Sequence, residues 1–231
     1  MSVGILIATR NRAPQLLFGL HSIEKQAYKD APILVIDDAS TDNTPDVIRR
    51  YGHLVRSQRI ERSNGYRRNP GAVLNIGHRE LSADIVIEQG GEVCHVTDCV
   101  TPLVAVCKPG TVALARVHHG SPQEYISFCK MVQSGAYEFP ADVTPDTYRT
   151  NGDTWKVPVV QGHRLYCGAE RPAPFLFCGA IHRDDFEAVG GYNESLPARN
   201  DEDLANRLIA RGVKFVFVGS ALAFHLEHPK T

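Results

Sequence analysis

The feature of this sequence that most restricts its fold is the alternation of short apolar runs with longer segments of helical period. Residues 3–8 and 33–36 are largely apolar runs of strand length, and the segment between them, residues 13–25, repeats leucine and isoleucine at helical spacing. The same alternation continues over residues 54–87. This pattern is typical of βαβ units, so the sequence predicts an α/β fold with a mainly parallel central sheet flanked by helices.

The second half of the sequence is less regular. A strand and a helix are predicted within residues 112–132, but residues 133–174 are rich in Pro, Gly, Thr and aromatic residues and show no clear period. A segment of this length without a period indicates either a long functional loop or short strands that the pattern does not locate. We call residues 133–174 the excursion. Order returns with strands predicted at 175–181 and 213–218 and two helices between them. Since there is no repeat or linker, we expect one domain over residues 1–231.

Composition excludes several classes of partner. The 231 residues contain 25 Lys plus Arg and 26 Asp plus Glu, so the formal charge is -1 and no overall field favours nucleic acid or an anionic membrane. No run reaches the roughly 18 apolar residues of a membrane span, and the start lacks a signal-peptide pattern. We therefore expect no transmembrane segment and a cytoplasmic location. The oligomeric state is not indicated.

Cysteine usage fits an intracellular chain with reduced thiols. The six cysteines form no CxxC pair. A zinc protein would need ligands at characteristic short spacings, and the available residues fit no standard pattern. Those residues are Cys94, His95, Cys99, His225 and His228.

Acidic residues follow two of the predicted strands. Asp37 and Asp38 come directly after the second strand, and Glu88 to Glu92 follow the fourth. In open α/β sheets ligands bind beyond the carboxyl ends of the strands. The two acidic stretches are therefore candidates for one site.

Three segments, taken in order, carry a family resemblance. They are ILIATRNRAPQLLFGLHSIEKQ, ILVIDDASTDNT and GGYNESLPARNDEDLANRLIARGVKFVFV. Each is weak alone, but jointly they resemble the family 2 glycosyltransferases, which have the GT-A nucleotide-sugar fold. The resemblance implies transfer of a hexose or N-acetylhexosamine from a nucleotide-sugar donor to a saccharide or other hydroxyl acceptor. It also implies a nucleotide-binding half, residues 1–104, and an acceptor-binding half, residues 105–231.

The resemblance places Asp37 and Asp38 beside the donor nucleotide. An ionised aspartate only accepts hydrogen bonds, so either could accept from the uracil imide or from ribose hydroxyls, with Asp38 favoured. The resemblance implies a UDP-sugar donor in preference to a GDP-sugar. A cap and turn cluster is the alternative and accounts for residues 40–43. The residues implied to border the donor are Ala8, Thr9, Arg10, Asp37, Asp38, Arg67, Arg68, Asn75, Gly90, Gly91 and Gly179.

The stretch NGYRRNPGAVLNIG is similar to the family segment that borders the nucleotide. Arg67 and Arg68 precede a helix predicted from Gly71, and guanidinium groups beside a positive helix end suit a diphosphate. Asn75 lies one turn into that helix and would point back to the base; an ordinary position on the helix surface is the alternative.

The metal motif departs from the family pattern. Relatives commonly end the fourth strand with Asp-x-Asp, whereas this chain has Gly90, Gly91 and Glu92 there. The expected ligands are Glu92 and His225, a mixed set that suits Mn²⁺ better than Mg²⁺. His95 and His228 are spare candidates. With one carboxylate lost, weak metal binding or none is the alternative.

The last segment supplies the proton acceptor that sugar transfer requires. Matching this segment to the family pattern makes Asp201 the general base, with Glu202 as the rival assignment. A purely structural alternative makes the acids favourable partners of a helix N-terminus. For the acceptor, the candidates are Trp155, Asn200 and Glu202; Asn200 stands where relatives carry Glu.

Two other functions remain open from the sequence. Nucleotidyl transfer also uses strand-end acids and a divalent cation, but it favours a glycine-rich basic loop, and ATRNRAP has no glycine. A non-catalytic nucleotide or sugar-binding module would explain the degenerate metal motif.

Overall fold

The computed structural model describes residues 1–26, 31–61, 69–148, 158–196 and 198–229. Its strands form one sheet in the order β3-β2-β1-β4-β9-β6-β10-β5, with the β7–β8 hairpin attached to β6. The predicted α/β class is confirmed. The strands are β1 (Val3–Thr9), β2 (Ile33–Asp37), β3 (Val55–Arg59), β4 (Ile85–Gly90), β5 (Val93–His95), β6 (Thr111–Gly120), β7 (Val159–Val160), β8 (His163–Cys167), β9 (Cys178–His182) and β10 (Lys214–Leu226). The helices are α1 (Ala13–Glu24), α2 (Thr44–Arg50), α3 (Pro70–Leu81), α4 (Val100–Val106), α5 (Pro122–Gln133), α6 (Arg183–Ala188) and α7 (Asn200–Ala210).

Strands β3, β2, β1 and β4 are parallel. Strands β2, β1 and β4 are buried on both faces, whereas β3, at the sheet edge, is exposed beyond Val55. Successive residues point to opposite faces, so Leu6 and Leu34 belong to one core cluster and Ile5 and Val35 to another. Helix α3 covers the first of these clusters through Val73. Burial on both faces explains why β1 and β2 are continuous apolar runs in the sequence.

The second half of the sheet mixes directions. Strand β9 is antiparallel to β4 and to β6, β10 is parallel to β6, and β5 is antiparallel to β10. The pairing of β5 with β10 sets His225 opposite Val93. This pairing brings the end of β10 to the turn that follows β4, and it thereby places His225 beside Glu92 of that turn.

Several boundaries differ from the sequence expectation. Strand β10 runs to Leu226 because an irregularity between Val218 and Leu222 lets it continue beyond the predicted end. A Cβ on Gly219 would lie 1.8 Å from the Pro140 carbonyl oxygen, so the excursion crosses the strand at a glycine. The strand expected at 175–181 begins at Cys178.

Four elements were not located from the sequence. Strand β5 and helix α4 are too short to display a period, and β7 and β8 account for part of the excursion at 133–174. All six cysteines are free. Across the described ranges, no helix combines the length and the apolar character needed to cross a membrane.

Candidate functional site

Two adjoining cavities form a cleft beyond the carboxyl ends of β1, β2 and β4. The larger has a volume of 440 Å³ and the smaller 120 Å³. Ala8, Pro70 and Glu92 line both. Because these residues are shared, a ligand too long for one cavity can extend through the other.

The smaller cavity is lined by Asp38, Thr9 and Arg10, as expected for residues that follow β1 and β2. The Asp38 backbone N–H donates to the Thr9 carbonyl at 2.9 Å, which joins the two strand ends. The Thr9 Oγ1 atom is buried and forms no hydrogen bond with any other described residue. It is therefore available to a ligand.

The two adjacent aspartates have different surroundings. The Asp37 Oδ2 atom accepts from Arg59 Nη1 at 2.5 Å, and its Oδ1 atom accepts from the Ser40 backbone N–H at 2.9 Å. Both oxygens of Asp37 thus order the end of β2. Asp38, in contrast, lines the cavity, so the geometry favours Asp38 over Asp37 as a ligand-facing carboxylate.

Gly90, at the end of β4, and Gly91, which follows it, leave no space for side chains. A Cβ on Gly91 would lie 2.4 Å from Thr9 Oγ1, and a Cβ on Gly90 would lie 2.9 Å from Glu92 Oε1. The glutamate therefore occupies the space where a side chain at position 90 would begin. In this packing the longer side chain of Glu92 fills the space next to position 90, where relatives carry the first Asp of an Asp-x-Asp motif.

Glu92 lies beside two imidazoles and a guanidinium group. Its Oε1 atom is 3.5 Å from His225 Nε2 and 3.8 Å from His228 Nε2, and its Oε2 atom is 3.7 Å from Arg12 Nε. Burial raises the pKa of Glu92, but the His225 hydrogen bond and the charges of His225, His228 and Arg12 outweigh it and lower that pKa to about 2. Glu92 is thus an anion at neutral pH.

The same three side chains present a ligand set for a divalent cation. One ligand atom each of Glu92, His225 and His228 lie within 4.8 Å of one another. His225 Nδ1 is buried without a hydrogen-bond partner in the described part of the chain. A carboxylate with two imidazoles fits Mn²⁺. The spare candidate His228 therefore joins Glu92 and His225, whereas the other spare, His95, lies elsewhere.

Asp201 lines the larger cavity from the first turn of α7. Its Oδ1 atom accepts from the Glu202 backbone N–H at 2.9 Å, since the first N–H groups of a helix lack partners within it. Burial and the negative charges of Glu202 and Glu88 raise the pKa of Asp201. The hydrogen bonds from the backbone N–H groups of Glu202 and of Asp201 itself lower this pKa, but by less, so the pKa is raised overall. A carboxylate with a raised pKa is better matched to proton transfer than an ordinary surface aspartate.

Glu88 is a buried carboxylate that also lines the larger cavity. Its Oε1 atom is 2.7 Å from His78 Nε2, and its Oε2 atom accepts from the Tyr192 hydroxyl at 2.7 Å. These two contacts fix the carboxylate in the floor of the cleft. The sequence placed Glu88 at a strand end but assigned it no role.

Some residues expected at the site are engaged elsewhere. Asn75 donates to the Tyr192 carbonyl at 2.9 Å and accepts from the Tyr192 N–H at 2.9 Å, and it lines a separate cavity. Gly179 packs against Leu114, and it does not line either cavity of the cleft. Asn75 thus holds the loop before α7, and Gly179 lies in the core between Leu114 and Leu176, so the structure brings neither residue to the cleft.

The two candidates that flank Asp201 also differ from it. Asn200 lines the larger cavity, but its side-chain amide donates to the carbonyls of Asn193 and Leu196 at 3.0 and 3.1 Å. These hydrogen bonds hold the loop that precedes α7. Glu202 lines a different cavity, away from Glu92. The geometry thus favours Asp201 over Glu202 as the base. The predicted residues Arg67, Arg68 and Trp155 lie outside the described residues.

Sequence reasoning missed other residues in the cleft. Phe177 and Tyr192 line the larger cavity, and Arg12 lines the smaller one. The basic loop ATRNR contains both Arg10 and Arg12, and the sequence alone does not distinguish between them. Nothing local marks Tyr192, because its hydroxyl reaches Glu88 across 104 positions of sequence.

A family model for glycosyl transferase family 2 matches residues 4–164. The match covers the chain from β1 to β7, including the ends of β1, β2 and β4 that line the cleft. The chain belongs to glycosyltransferase family 2.

Individual relatives agree with this assignment. Validoxylamine A glucosyltransferase of Streptomyces hygroscopicus subsp. jinggangensis (strain 5008) is 26% identical over an alignment of 250 residues. The alignment covers 99% of this chain and 56% of that protein. The chain thus spans just over half the length of that relative.

Solved GT-A glycosyltransferases share the fold. GalNAc-T7 with UDP, GalNAc and Mn²⁺ superposes with a TM-score of 0.66 at 16% identity, over 100% of this chain and 44% of that one. The mannosyltransferase PcManGT of Pyrobaculum calidifontis with GDP-Man and Mn²⁺ gives 0.62 at 18% identity, over 99% and 57%. TarS of S. aureus with UDP-GlcNAc gives 0.66 at 13% identity, over 100% and 60%.

Proposed function

We propose that this protein transfers a hexose or N-acetylhexosamine from a nucleoside diphosphate donor, UDP rather than GDP, to an acceptor hydroxyl with inversion. The observation that carries the proposal is the single cleft that joins Asp38, Glu92 and Asp201. Asp38 lies in the smaller cavity, Glu92 borders both cavities, and Asp201 lies in the larger one. This order matches a nucleotide, a diphosphate and a sugar placed end to end.

Asp201 is proposed to act as the general base. As the acceptor oxygen attacks the anomeric carbon, its O–H bond breaks and the proton passes to the Asp201 carboxylate. A new bond forms between that oxygen and the anomeric carbon on the face opposite the nucleotide. The old bond to the diphosphate oxygen breaks, and its electron pair leaves with the nucleoside diphosphate.

Glu92, His225 and His228 are proposed to hold a divalent cation, Mn²⁺ in preference to Mg²⁺. When bound, such an ion would supply positive charge that stabilises the departing diphosphate. Arg12, beside Glu92, adds a fixed positive charge at the same point of the cleft. The solved relatives that contain Mn²⁺ together with a nucleotide support this assignment.

The two sides of the cleft divide the roles. We propose that residues 1–104 bind the donor, since Thr9, Asp38 and Glu92 belong to them. Residues 105–231 contribute Asp201 and Phe177 and bind the acceptor. The sugars named in the relatives, glucose, mannose, GalNAc and GlcNAc, all belong to the proposed donor class.

Calorimetric titration with UDP and GDP, each with Mn²⁺ and with a chelator, tests the nucleotide site. We expect UDP to bind more tightly than GDP and Mn²⁺ to strengthen the binding of UDP. Asp38→Asn should weaken UDP binding with and without Mn²⁺, because the carboxylate acts on the nucleoside and not through the ion. Asp46→Asn is the control, since Asp46 is an exposed helix residue paired with Arg49.

Each outcome of this titration has a distinct meaning. Tight GDP binding would contradict the donor assignment. Binding that ignores Mn²⁺ would contradict the cation site while leaving the transferase proposal in place. Binding of neither nucleotide would contradict the proposed transferase and favour a non-catalytic module.

The pH dependence of transfer should report the raised pKa of Asp201. The base works only as a carboxylate, so kcat/KM falls as the pH drops through its pKa, and a raised pKa moves this acid limb to higher pH. In Glu88→Gln, a neighbouring negative charge is removed, so the pKa of Asp201 falls and the limb moves to lower pH. Glutamine can still accept from the Tyr192 hydroxyl. An acid limb at the same pH in both proteins would contradict this coupling.

A further inference from the structure

A second group of metal-ligating side chains lies in the core, apart from the cleft. His95 ends β5, Cys99 directly precedes α4, and Cys178 begins β9. One ligand atom from each lies within 4.8 Å of the others, and the residues are 3%, 0% and 1% exposed. Three elements of the fold therefore converge on one small volume that solvent does not reach.

The separations suit a tetrahedral zinc ion. Cys178 Sγ lies 3.8 Å from His95 Nε2. Zinc bonds of about 2.3 Å to sulfur and about 2.0 Å to nitrogen, at tetrahedral angles, set these atoms about 3.5 Å apart. The Gln89 Oε1 atom lies opposite Cys178 on β4, at a hydrogen-bond distance of 2.7 Å from His95 Nε2, and Gln89 also lines the larger cavity. Two zinc ligands of this kind lie about 3.3 Å apart, so this amide becomes the fourth ligand only after a shift of about 0.6 Å.

The chemistry of the ligands distinguishes this group from the cleft. Two thiolates balance the charge of one divalent zinc ion, so the loaded group is neutral and can be buried. Thiolates select zinc over Mn²⁺ and Mg²⁺, which prefer oxygen ligands. The ordinary alternative is a set of satisfied core side chains, since His95 Nε2 contacts Gln89 Oε1 at 2.7 Å and the Cys99 thiol donates to the Leu222 carbonyl at 3.1 Å. Zinc binding would exchange these two hydrogen bonds for bonds to the ion.

We propose that His95, Cys99 and Cys178, with Gln89 as the fourth ligand, form a structural zinc site. Standard spacing rules miss it because Cys178 is 79 positions beyond Cys99 in the sequence. The site connects β4, β5, β9 and the start of α4. Gln89 Nε2 also donates to the Val93 carbonyl at 3.3 Å, across the turn that carries Glu92. A zinc ion bound to Gln89 would therefore also fix the turn between β4 and β5, which carries Glu92 of the proposed donor site.

Cobalt substitution tests the proposal on the full chain without any assay of transfer. The protein is stripped of metal under reducing conditions, titrated with Co²⁺ and followed by absorption spectroscopy. We expect a thiolate-to-cobalt charge-transfer band that saturates at one equivalent and disappears on addition of one equivalent of Zn²⁺. Zinc should also raise the melting temperature of the stripped protein.

Matched variants locate the site. Cys99→Ser and Cys178→Ser should each weaken or abolish the band, whereas Cys129→Ser, on the partly exposed face of α5, should keep it. Glu92→Gln should also keep it, which separates this site from the cleft. If a core variant does not fold, the presence or absence of the thiolate-to-cobalt band in the unmodified chain still tests the proposal.

Two results would overturn the proposal. One is cobalt binding by the unmodified chain without a thiolate band. The other is a mass lower by two hydrogens, in a peptide that links Cys99 to Cys178, from protein purified without reductant, since these two cysteines would then form a disulfide. Neither result bears on nucleotide binding, so the proposed transferase stands or falls separately.

Discussion

Asp201→Asn is expected to lower kcat by roughly two to four orders of magnitude, the range typical of a lost general base. Asparagine has nearly the same shape, and its carbonyl oxygen can still accept from the Glu202 backbone N–H that now contacts Asp201 Oδ1. It cannot take the acceptor proton. The dissociation constant of UDP with Mn²⁺ should stay close to that of the unmodified protein, because Asp201 lies in the cavity away from Asp38.

Glu202→Gln is the matched control. Glu202 is the next residue along the same helix and carries the same charge, but it lines a different cavity. Its kcat should change much less than that of Asp201→Asn. Measurements of kcat, KM and UDP affinity on the two variants decide the assignment. A large loss of kcat in Glu202→Gln alone would transfer the role of base to Glu202.

The parts of the fold that follow local rules could be predicted from the sequence. Strands β1 and β2 are short runs buried on both faces, and α1 repeats its apolar residues at helical spacing, so each shows its structure in its own residues. The second half of β10 could not be predicted. The glycine and serine at 219–220 resemble a turn, and only pairing with β6 and β5 extends the strand to Leu226.

The same distinction applies to the cleft. Asp38, Glu92 and Asp201 are predicted from segments that resemble family motifs, and the structure places all three in the lining of the cleft. Asn75 shows the limit of this approach. Its amide contacts Tyr192, which is 117 positions away, and a single helical segment cannot indicate such a partner. The role of a polar side chain thus depends on tertiary contacts that local patterns do not contain.

Glu92→Gln is expected to weaken the binding of UDP with Mn²⁺ by at least 10- to 100-fold, the loss typical even of groups that only support a metal ligand. The neutral amide is a poorer ligand than the carboxylate, and the change also leaves His225 and His228 without their anionic neighbour. The chelator-insensitive part of the binding should behave differently. With a negative charge removed beside Arg12, a diphosphate meets less repulsion, so UDP in chelator should bind equally well or more tightly.

This opposite response separates a lost cation site from a damaged fold. Partial unfolding would weaken UDP binding in both conditions, whereas a lost ligand weakens it only with Mn²⁺. Glu187→Gln is the control, since Glu187 lines a separate cavity and pairs with Arg183 at the surface. Calorimetry with Mn²⁺ and with chelator measures both affinities. If Glu92→Gln kept the full Mn²⁺ dependence, His225 and His228 could not be acting with Glu92, and the cation would have to bind elsewhere in the cleft.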